Sequence, residues 1–269
     1  MTHRILFVNQ EMTPFLPETS LVRKLNLELP AYMQSHGFDT RSFMPKFHEV
    51  SDRRNQLHEV IRLSGINVVI NDYDHPLVIK VASLMRKKIQ VYFTDSRDYF
   101  HYPRKNNPET ILDDINNGDR CIFFAQSVLE TVKKLCWSPD IICCSGWMSA
   151  LVPLYIKKSY CKTPFFKNSK VVISIDNNTF TTPLNTKFAS NLIIDGVLKS
   201  DLRSIAGFEL YYEDIMRFAI DFSDAVVFAE PCSNTRLLNY ADTTNKPVLY
   251  GDADCAKYKE FYLKLLGHV

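Results

Sequence analysis

The stretch Arg4–Pro45 reads RILFVNQEMTPFLPETSLVRKLNLELPAYMQSHGFDTRSFMP. Its first six residues, Arg4-Ile5-Leu6-Phe7-Val8-Asn9, form a short apolar run with no polar alternation, the pattern of a strand buried on both faces. A loop holding Pro14 and Pro17 follows. From Ser20 to His36, Leu21, Leu25, Leu29 and Met33 recur every four residues, which predicts an amphipathic helix that stops at Gly37. Thr40–Met44 reads as the next strand, ending before Pro45. A strand, a helix and a strand joined by a short return predict a parallel pair.

The same alternation continues along the chain. Ile66–Ile70, Leu77–Val81 and Gln90–Phe93 are three short β-branched runs, expected as a β-rich insert beside the main sheet. Residues 94–118 read as a long loop. Cys121–Leu135 is an expected helix, Asp140–Cys144 a strand, and Trp147–Tyr155 a helix that Pro153 bends or delimits. Lys170–Ile175 is a strand, and Phe208–Phe222 a helix with Phe208, Tyr211, Ile215, Phe218 and Phe222 facing inward. Ala225–Ala229 and Lys246–Tyr250 are further strands, and Ala253–Leu266 closes the chain as a helix. The expected fold is α/β, a Rossmann-like, doubly wound and mostly parallel sheet. No repeat, low-complexity tract or linker divides residues 1–269, so one domain is expected.

Composition excludes several classes. The eight glycines of the 269 residues are never closer than 11 apart, so neither G-x-G-x-x-G nor G-x-x-x-x-G-K-[ST] exists. Nicotinamide dinucleotide loops and P-loops both need such clusters for backbone N–H groups to approach phosphates. A net charge of +2 gives no footprint for nucleic acid or a membrane surface, and neither is expected as a partner. The seven cysteines contain no C-x-x-C, and no histidine spacing matches a metal motif, so no disulfide framework, metal or cofactor is expected. The N-terminal apolar run is too short for a signal peptide, and no segment of about 20 apolar residues is present. A reduced, cytoplasmic protein follows from this.

In an open parallel sheet, ligands bind outside the carboxyl ends of the strands. Those ends carry Glu11, Trp147, Asp176 and Glu230. Glu11, Asp176 and Glu230 either converge on one cleft or cap the helices that follow. Tyr99-Phe100-His101-Tyr102-Pro103 reads either as a sugar-stacking platform or as a loop packed on the surface. Cys143 and Cys144 sit next to each other on a strand and therefore point to opposite faces, as structural thiols rather than a working pair. Arg86-Lys87-Lys88 is expected as a solvated turn.

Several of these strand ends are similar to one family. Ile5–Val8 with Glu11-Met12-x-Pro14, then Leu29-Pro30, His36-Gly37-Phe38-Asp39 and Met44-Pro45, resemble the opening of bacterial glycogen synthases and plant starch synthases. Pro139-Asp140-Ile141-Ile142, Trp147 and Ala150–Tyr155 resemble the family's P-D-I-I-H-x-H-D-W-H-x-A-L stretch. Phe166-Lys167-Asn168 with Val171–Ile175, and Asp221–Ala225 with Pro231, continue the match to about residue 235. The resemblance implies one half of a GT-B architecture, the acceptor-side domain of an enzyme that transfers glucose from ADP-glucose to an α-1,4-glucan. The donor-binding domain is not expected within this chain.

The departures from the family carry as much as the matches. The family's K-T-G-G-L loop lies against the donor phosphates, and Pro17-Glu18-Thr19-Ser20-Leu21 stands there. An Asp two residues further on is Arg23. The histidines and the Asp of H-x-H-D-W-H align with Cys143, Ser145, Met148 and Gly146, and only Trp147 is kept. The last of those histidines is a catalytic-site residue in the family, and a thioether neither donates a hydrogen bond nor carries charge. The family's H-N pair is Asp176-Asn177, and an acceptor-side Tyr is Phe100. The resemblance therefore implies no catalytic residue here. The candidate ligand residues are Glu11, Tyr99, Phe100, Trp147, Asp176 and Asn177.

Three expectations follow. The first is a non-catalytic module for a glucan or other sugar, or a regulatory one. The second is the acceptor half of a split glycosyltransferase that works with a separate donor-domain chain. The third is a homodimer or protein partner on the face that the family's second domain covers.

Overall fold

A computed structural model describes residues 2–17, 20–101, 115–251 and 254–267. Strand β1 (Arg4–Asn9) leads into helix α1 (Leu21–Ser35), which is capped by the Oγ of Ser20 accepting the Arg23 N–H at 3.2 Å. Leu25, Leu29 and Met33 face the sheet. The helix ends at Gly37, whose φ of +86° suits glycine. Strand β2 (Asp39–Pro45) then runs parallel to β1, with Ile5 opposite Thr40 and Phe7 opposite Ser42.

The β-rich insert is placed differently from the expectation. Strands β3 (His58–Glu59), β4 (Ile66–Ile70) and β5 (Tyr73–Leu84) are antiparallel, but β6 (Ile89–Asp95) is parallel to β2 and belongs to the main sheet. The 12-residue β5 is much longer than Leu77–Val81 suggests, because it pairs β4 over one half and β6 over the other. Period-2 reading misses its start, where Tyr73 and Asp74 are exposed polar-edged positions. The expected long loop contains a short helix α2 (Arg97–Phe100) and the start of helix α3 (Asn117–Lys134); residues 102–114, including Tyr102 and Pro103, lie outside the described residues.

Strand β7 (Ile141–Ser145) pairs β1 on the side opposite β2. The expected helix Trp147–Tyr155 divides into a 3₁₀ turn at Trp147–Ser149 and helix α4 (Val152–Lys158). Pro153 sits in the first turn of α4, where its missing N–H has no helical partner to lose. Strand β8 (Lys170–Ile175) is followed by the short helix α5 (Phe188–Asn191) and by helix α6 (Tyr212–Phe222). Phe208 and Tyr211 precede α6 and are 69% and 40% exposed, so they do not face inward as the helical spacing predicts. Strand β9 (Ala225–Phe228), helix α7 (Thr235–Thr243), strand β10 (Val248–Tyr250) and helix α8 (Cys255–Leu265) complete the order. Ala253, where the closing helix was expected to begin, lies outside the described residues.

Among the described residues the sheet has ten strands, ordered β10-β9-β8-β7-β1-β2-β6-β5-β3, with β4 on β5. Every pairing from β10 to β6 is parallel. Alternate side chains feed two apolar layers. Leu6, Val8, Ile142, Cys144 and Ile173 pack under α3, α4 and α6, whereas Ile5, Phe7, Ile141, Cys143 and Val172 pack with Leu25 and Leu29 of α1 and with Tyr258 and Tyr262 of α8. Burying each such side chain contributes about 1.5–3 kcal/mol. The neighbouring cysteines thus lie in different layers, and burial pushes the Cys143 thiol up to about 12 and Cys144 well above its ordinary value. The parallel order brings the carboxyl ends of β1, β7, β8 and β9 to one edge, and that edge holds the site.

Candidate functional site

A cavity of about 270 Å³ opens at this edge. Its walls come from the residues just past three strands and from the first turns of α1. Gln10 and Glu11 follow β1, Asp176 and Asn177 follow β8, and Glu230 follows β9. Arg23 and Asn26 face it from α1.

Arg23 and Glu11 form a buried ion pair through Nε and Oε2. Arg23 Nη1 also donates to the Pro17 carbonyl at 3.0 Å, and Asn26 Nδ2 donates to the Glu11 carbonyl at 2.8 Å. The helix and the strand-end loop are thereby tied on one side of the cavity. On the other side Asn177 acts as a clamp. Its backbone N–H donates to Glu230 Oε1 at 2.9 Å, its Nδ2 donates to the Pro231 carbonyl at 2.9 Å, and its Oδ1 accepts from Ser233 N and Oγ.

Asp176 lies at the base. One of its oxygens accepts the Asn178 N–H at 3.0 Å, and its carbonyl accepts the Tyr212 hydroxyl at 2.9 Å. Burial raises its pKa from the ordinary 3.8 to about 7, with the Glu230 and Glu11 charges acting in the same direction. A carboxyl that is half protonated near neutrality both donates and accepts hydrogen bonds.

Gln10 is held rigidly. Its Oε1 accepts the Met148 N–H at 2.9 Å, and its backbone N–H donates to the Ser145 carbonyl at 3.0 Å. Gly146 permits this, for a Cβ there would stand 2.7 Å from Gln10 Oε1, and its φ of +82° with ψ 163° is glycine backbone. The Gln10 Nε2 is buried and has no hydrogen-bond partner among the described residues.

The remaining sequence-predicted residues lie elsewhere. Trp147 is fully buried, edge-to-face on Phe180 at 5.0 Å, and is not in the cavity wall. Tyr99 and Phe100 are buried on α2, with Phe100 against Phe47 and Phe123, so no open stacking platform is formed by these two rings. Tyr99 hydroxyl lies 3.0 Å from His75 Nε2, and burial raises its pKa far above 10. The sequence leaves open whether Glu11, Asp176 and Glu230 converge on one cleft or cap the following helices; all three line this cavity together with Asn177, and Gln10, Arg23 and Asn26, which also line it, are not among the sequence candidates. The signal for Asn26 was present: with Arg23 it interrupts the apolar stripe of α1 at i, i+3 spacing, on the side that faces the strand ends.

A second cavity, of about 570 Å³, lies at the end of β6. Asp95 there sits between His101 Nε2 at 2.5 Å and Lys80 Nζ at 2.8 Å, and Lys80 reaches Asp52 at 2.6 Å. No group of three or more His, Cys, Asp or Glu among the described residues is arranged to hold a metal ion. No described helix is long and apolar enough to cross a membrane.

A family model described as the starch synthase catalytic domain matches residues 4–240, which include every residue of the strand-end cavity. This chain belongs to the starch synthase catalytic domain family. Among curated relatives, the glycogen synthase of Chlorobium luteolum is 33% identical over 214 residues, covering 79% of this chain and 44% of that protein. The glycogen synthase of Chlorobaculum tepidum is 39% identical over 175 residues, covering 65% of this chain and 36% of that protein. This member of the starch synthase catalytic domain family therefore spans less than half the length of those relatives. Among solved structures, the catalytic domain of starch synthase IV from Arabidopsis thaliana, bound to ADP and acarbose, superimposes with a TM-score of 0.70. It is 15% identical and covers 93% of this chain and 52% of its own, a likeness of fold. The GT-B relationship is thus shown for the fold, and β10 and α8 lie beyond the residues that the starch synthase family model matches.

Proposed function

We propose that this chain is a carbohydrate-binding module of the family, using the strand-end cavity for a sugar, and that it does not by itself transfer glucose from ADP-glucose. The observation that carries this reading is the closure of Arg23 on Glu11 beside Asp176 and Glu230. A sugar-nucleotide donor brings a diphosphate, which needs cations or free backbone N–H groups. Among the described residues the one guanidinium in the wall faces a carboxylate of its own chain, and two more carboxyl groups line the same cavity. Sugar hydroxyls, which donate and accept, match carboxyl and amide groups well.

The resemblance supports the same reading. By that resemblance Met148 aligns with the family's catalytic-site histidine and Pro17 with the lysine of K-T-G-G-L. General acid–base and electrostatic contributions are each worth orders of magnitude in rate. Calorimetric titration of the purified chain with maltoheptaose, ADP and ADP-glucose tests the binding half, and transfer of labelled glucose from ADP-glucose to glycogen tests the other. Oligosaccharide binding without nucleotide binding or transfer is the expected result. Transfer by the chain alone overturns the reading. Transfer only after a separate donor-domain chain is added favours a split enzyme instead.

A further inference from the structure

We propose that the outer edge of β4 pairs with the same edge of a second copy of this chain, the two strands running antiparallel about a two-fold axis at Val68. β4 joins the sheet through β5, at the end away from β8 and β9, so this surface is independent of the carbohydrate reading above.

The hairpin fixes which main-chain groups are available. Asn71 and Asp72, with φ of +53° and +64°, form the two-residue turn between β4 and β5, so Ile70 and Tyr73 close the ladder as a hydrogen-bonded pair. Antiparallel pairs alternate, so Val68 with His75 and Ile66 with Leu77 are bonded in the same way. The N–H and C=O groups of Asn67 and Val69 therefore point away from β5. β4 pairs no other strand among the described residues, and Asn67 and Val69 are both exposed. Natural edges are blunted with charge or proline, and Ile66–Ile70 (INVVI) has neither.

The distribution of charge selects a second copy as the occupant. Arg62 stands in the turn that leads into β4, and Asp72 and Asp74 stand at the turn that leaves it. All three are exposed, and none makes a hydrogen bond or ion pair with a described residue. One end of the edge is thus cationic and the other anionic. Antiparallel pairing sets each Arg62 toward the partner's Asp72 and Asp74, twice over. Parallel pairing sets like ends together and gives no closed two-fold. The exposed apolar residues are spread along the same edge: Ile61 at the first end is 83% exposed, Val69 53%, and Tyr73 at the second end 69%.

The register follows from the outward groups. With the axis at Val68, Asn67 lies opposite the partner's Val69, and every outward N–H and C=O of the two residues finds a partner. An axis at Asn67 sets Val69 against Gly65, whose N–H is already given to the Leu77 carbonyl at 2.9 Å. An axis at Val69 sets Asn67 against the turn. A contact of two short strands falls below about 1,200 Å², the range of weak association, so a dimer Kd on the order of 10–100 μM is expected.

The experiment is sedimentation velocity of the whole chain from about 1 to about 300 μM, with amide hydrogen exchange followed at both limits. A reversible monomer–dimer equilibrium is expected, with exchange at Asn67 and Val69 slowing as the dimer forms. Arg62→Glu is expected to weaken the dimer about tenfold, and so is the pair Asp72→Lys with Asp74→Lys. An equimolar mixture of these two proteins is expected to recover the parent's affinity, since each reversed end meets its complement on the other chain. Val69→Pro removes an outward N–H and leaves the ladder to β5 intact, so it is expected to abolish the dimer. If circular dichroism shows that this variant is unfolded, the exposed charge variants carry the test. A chain that stays monomeric, with exchange at Asn67 and Val69 independent of concentration, overturns the proposal and leaves the edge to a strand of another protein. A dimer that none of the folded variants weakens overturns it too, because another face then forms the contact. Failure of the mixture to recover affinity overturns the antiparallel two-fold arrangement.

Discussion

Arg23 of α1 closes its guanidinium on the carboxylate of Glu11 past β1, and both side chains are buried. The pair joins the first helix to the first strand end, so it shapes the cavity as well as filling part of its wall. In a low-dielectric site, removing one member leaves the other charge without this counterion, which costs about 3–5 kcal/mol, whereas replacing both with apolar residues of similar volume is close to neutral. Arg23→Ala and Glu11→Ala are each expected to lower stability by that amount, and Arg23→Met with Glu11→Leu by much less. Urea denaturation midpoints of the three variants check this.

Gly146 and Gln10 are coupled by close approach. Gly146→Ala places a Cβ 2.7 Å from Gln10 Oε1 on a backbone with φ +82° and ψ 163°, a region that non-glycine residues occupy at a cost of about 1–3 kcal/mol. The expected loss is about 2–4 kcal/mol in total. In a Gln10→Ala background the contacts with Oε1 and Cδ disappear, while the contact with Cβ at 2.9 Å and the backbone strain remain, so the loss is expected to be smaller by less than about 1 kcal/mol. A double-mutant cycle in urea measures the difference.

The two-layer packing of β7 makes a chemical prediction. Cys143 and Cys144 are buried in opposite layers with raised pKa values, and Cys121 is buried and raised as well, whereas Cys136 and Cys161 are exposed. A thiol reacts as its thiolate and needs access. Cys136 and Cys161 are expected to react rapidly with a disulfide reagent at pH 8, and Cys121, Cys143 and Cys144 only after denaturant is added. Mass spectrometry of partially labelled protein identifies the modified residues.

The parallel core was legible because its strands are buried on both faces and therefore apolar without interruption, as in Ile5–Val8 and Val171–Ile173. The antiparallel part was harder. Tyr73–Leu84 carries His75 and Pro76 near its start, and its two halves serve different neighbours, so no single period describes it. Helix α7 escaped because Asn234 is its cap and its buried face holds only Leu237 and Ala241. Within the site, acidic strand ends were visible in the sequence since parallel topology gathers them at one edge. The unmet donor of Gln10 was not, because it depends on where the Met148 N–H and the Gly146 backbone come to lie. Phe100 and Tyr99 were ambiguous for the opposite reason: aromatic residues suit both a stacking surface and a core, and only burial separates the two.

The raised pKa of Asp176 links the cavity to stability. In the folded chain the carboxyl holds its proton up to about pH 7, against 3.8 ordinarily. The folded state therefore binds the proton more tightly than the unfolded chain, and this group's contribution to stability is greatest below about pH 4, declines as pH rises, and levels off above about pH 7. Asp176→Asn keeps an oxygen to accept the Asn178 N–H and removes the charge. The variant is expected to match the parent near pH 4.5 and to exceed it increasingly toward pH 8, by an amount on the order of 3 kcal/mol. Urea midpoints at four or five pH values trace the two curves. A constant difference between them would mean that Asp176 ionises in this cavity as it does in the unfolded chain, and that solvent or another group already compensates its charge.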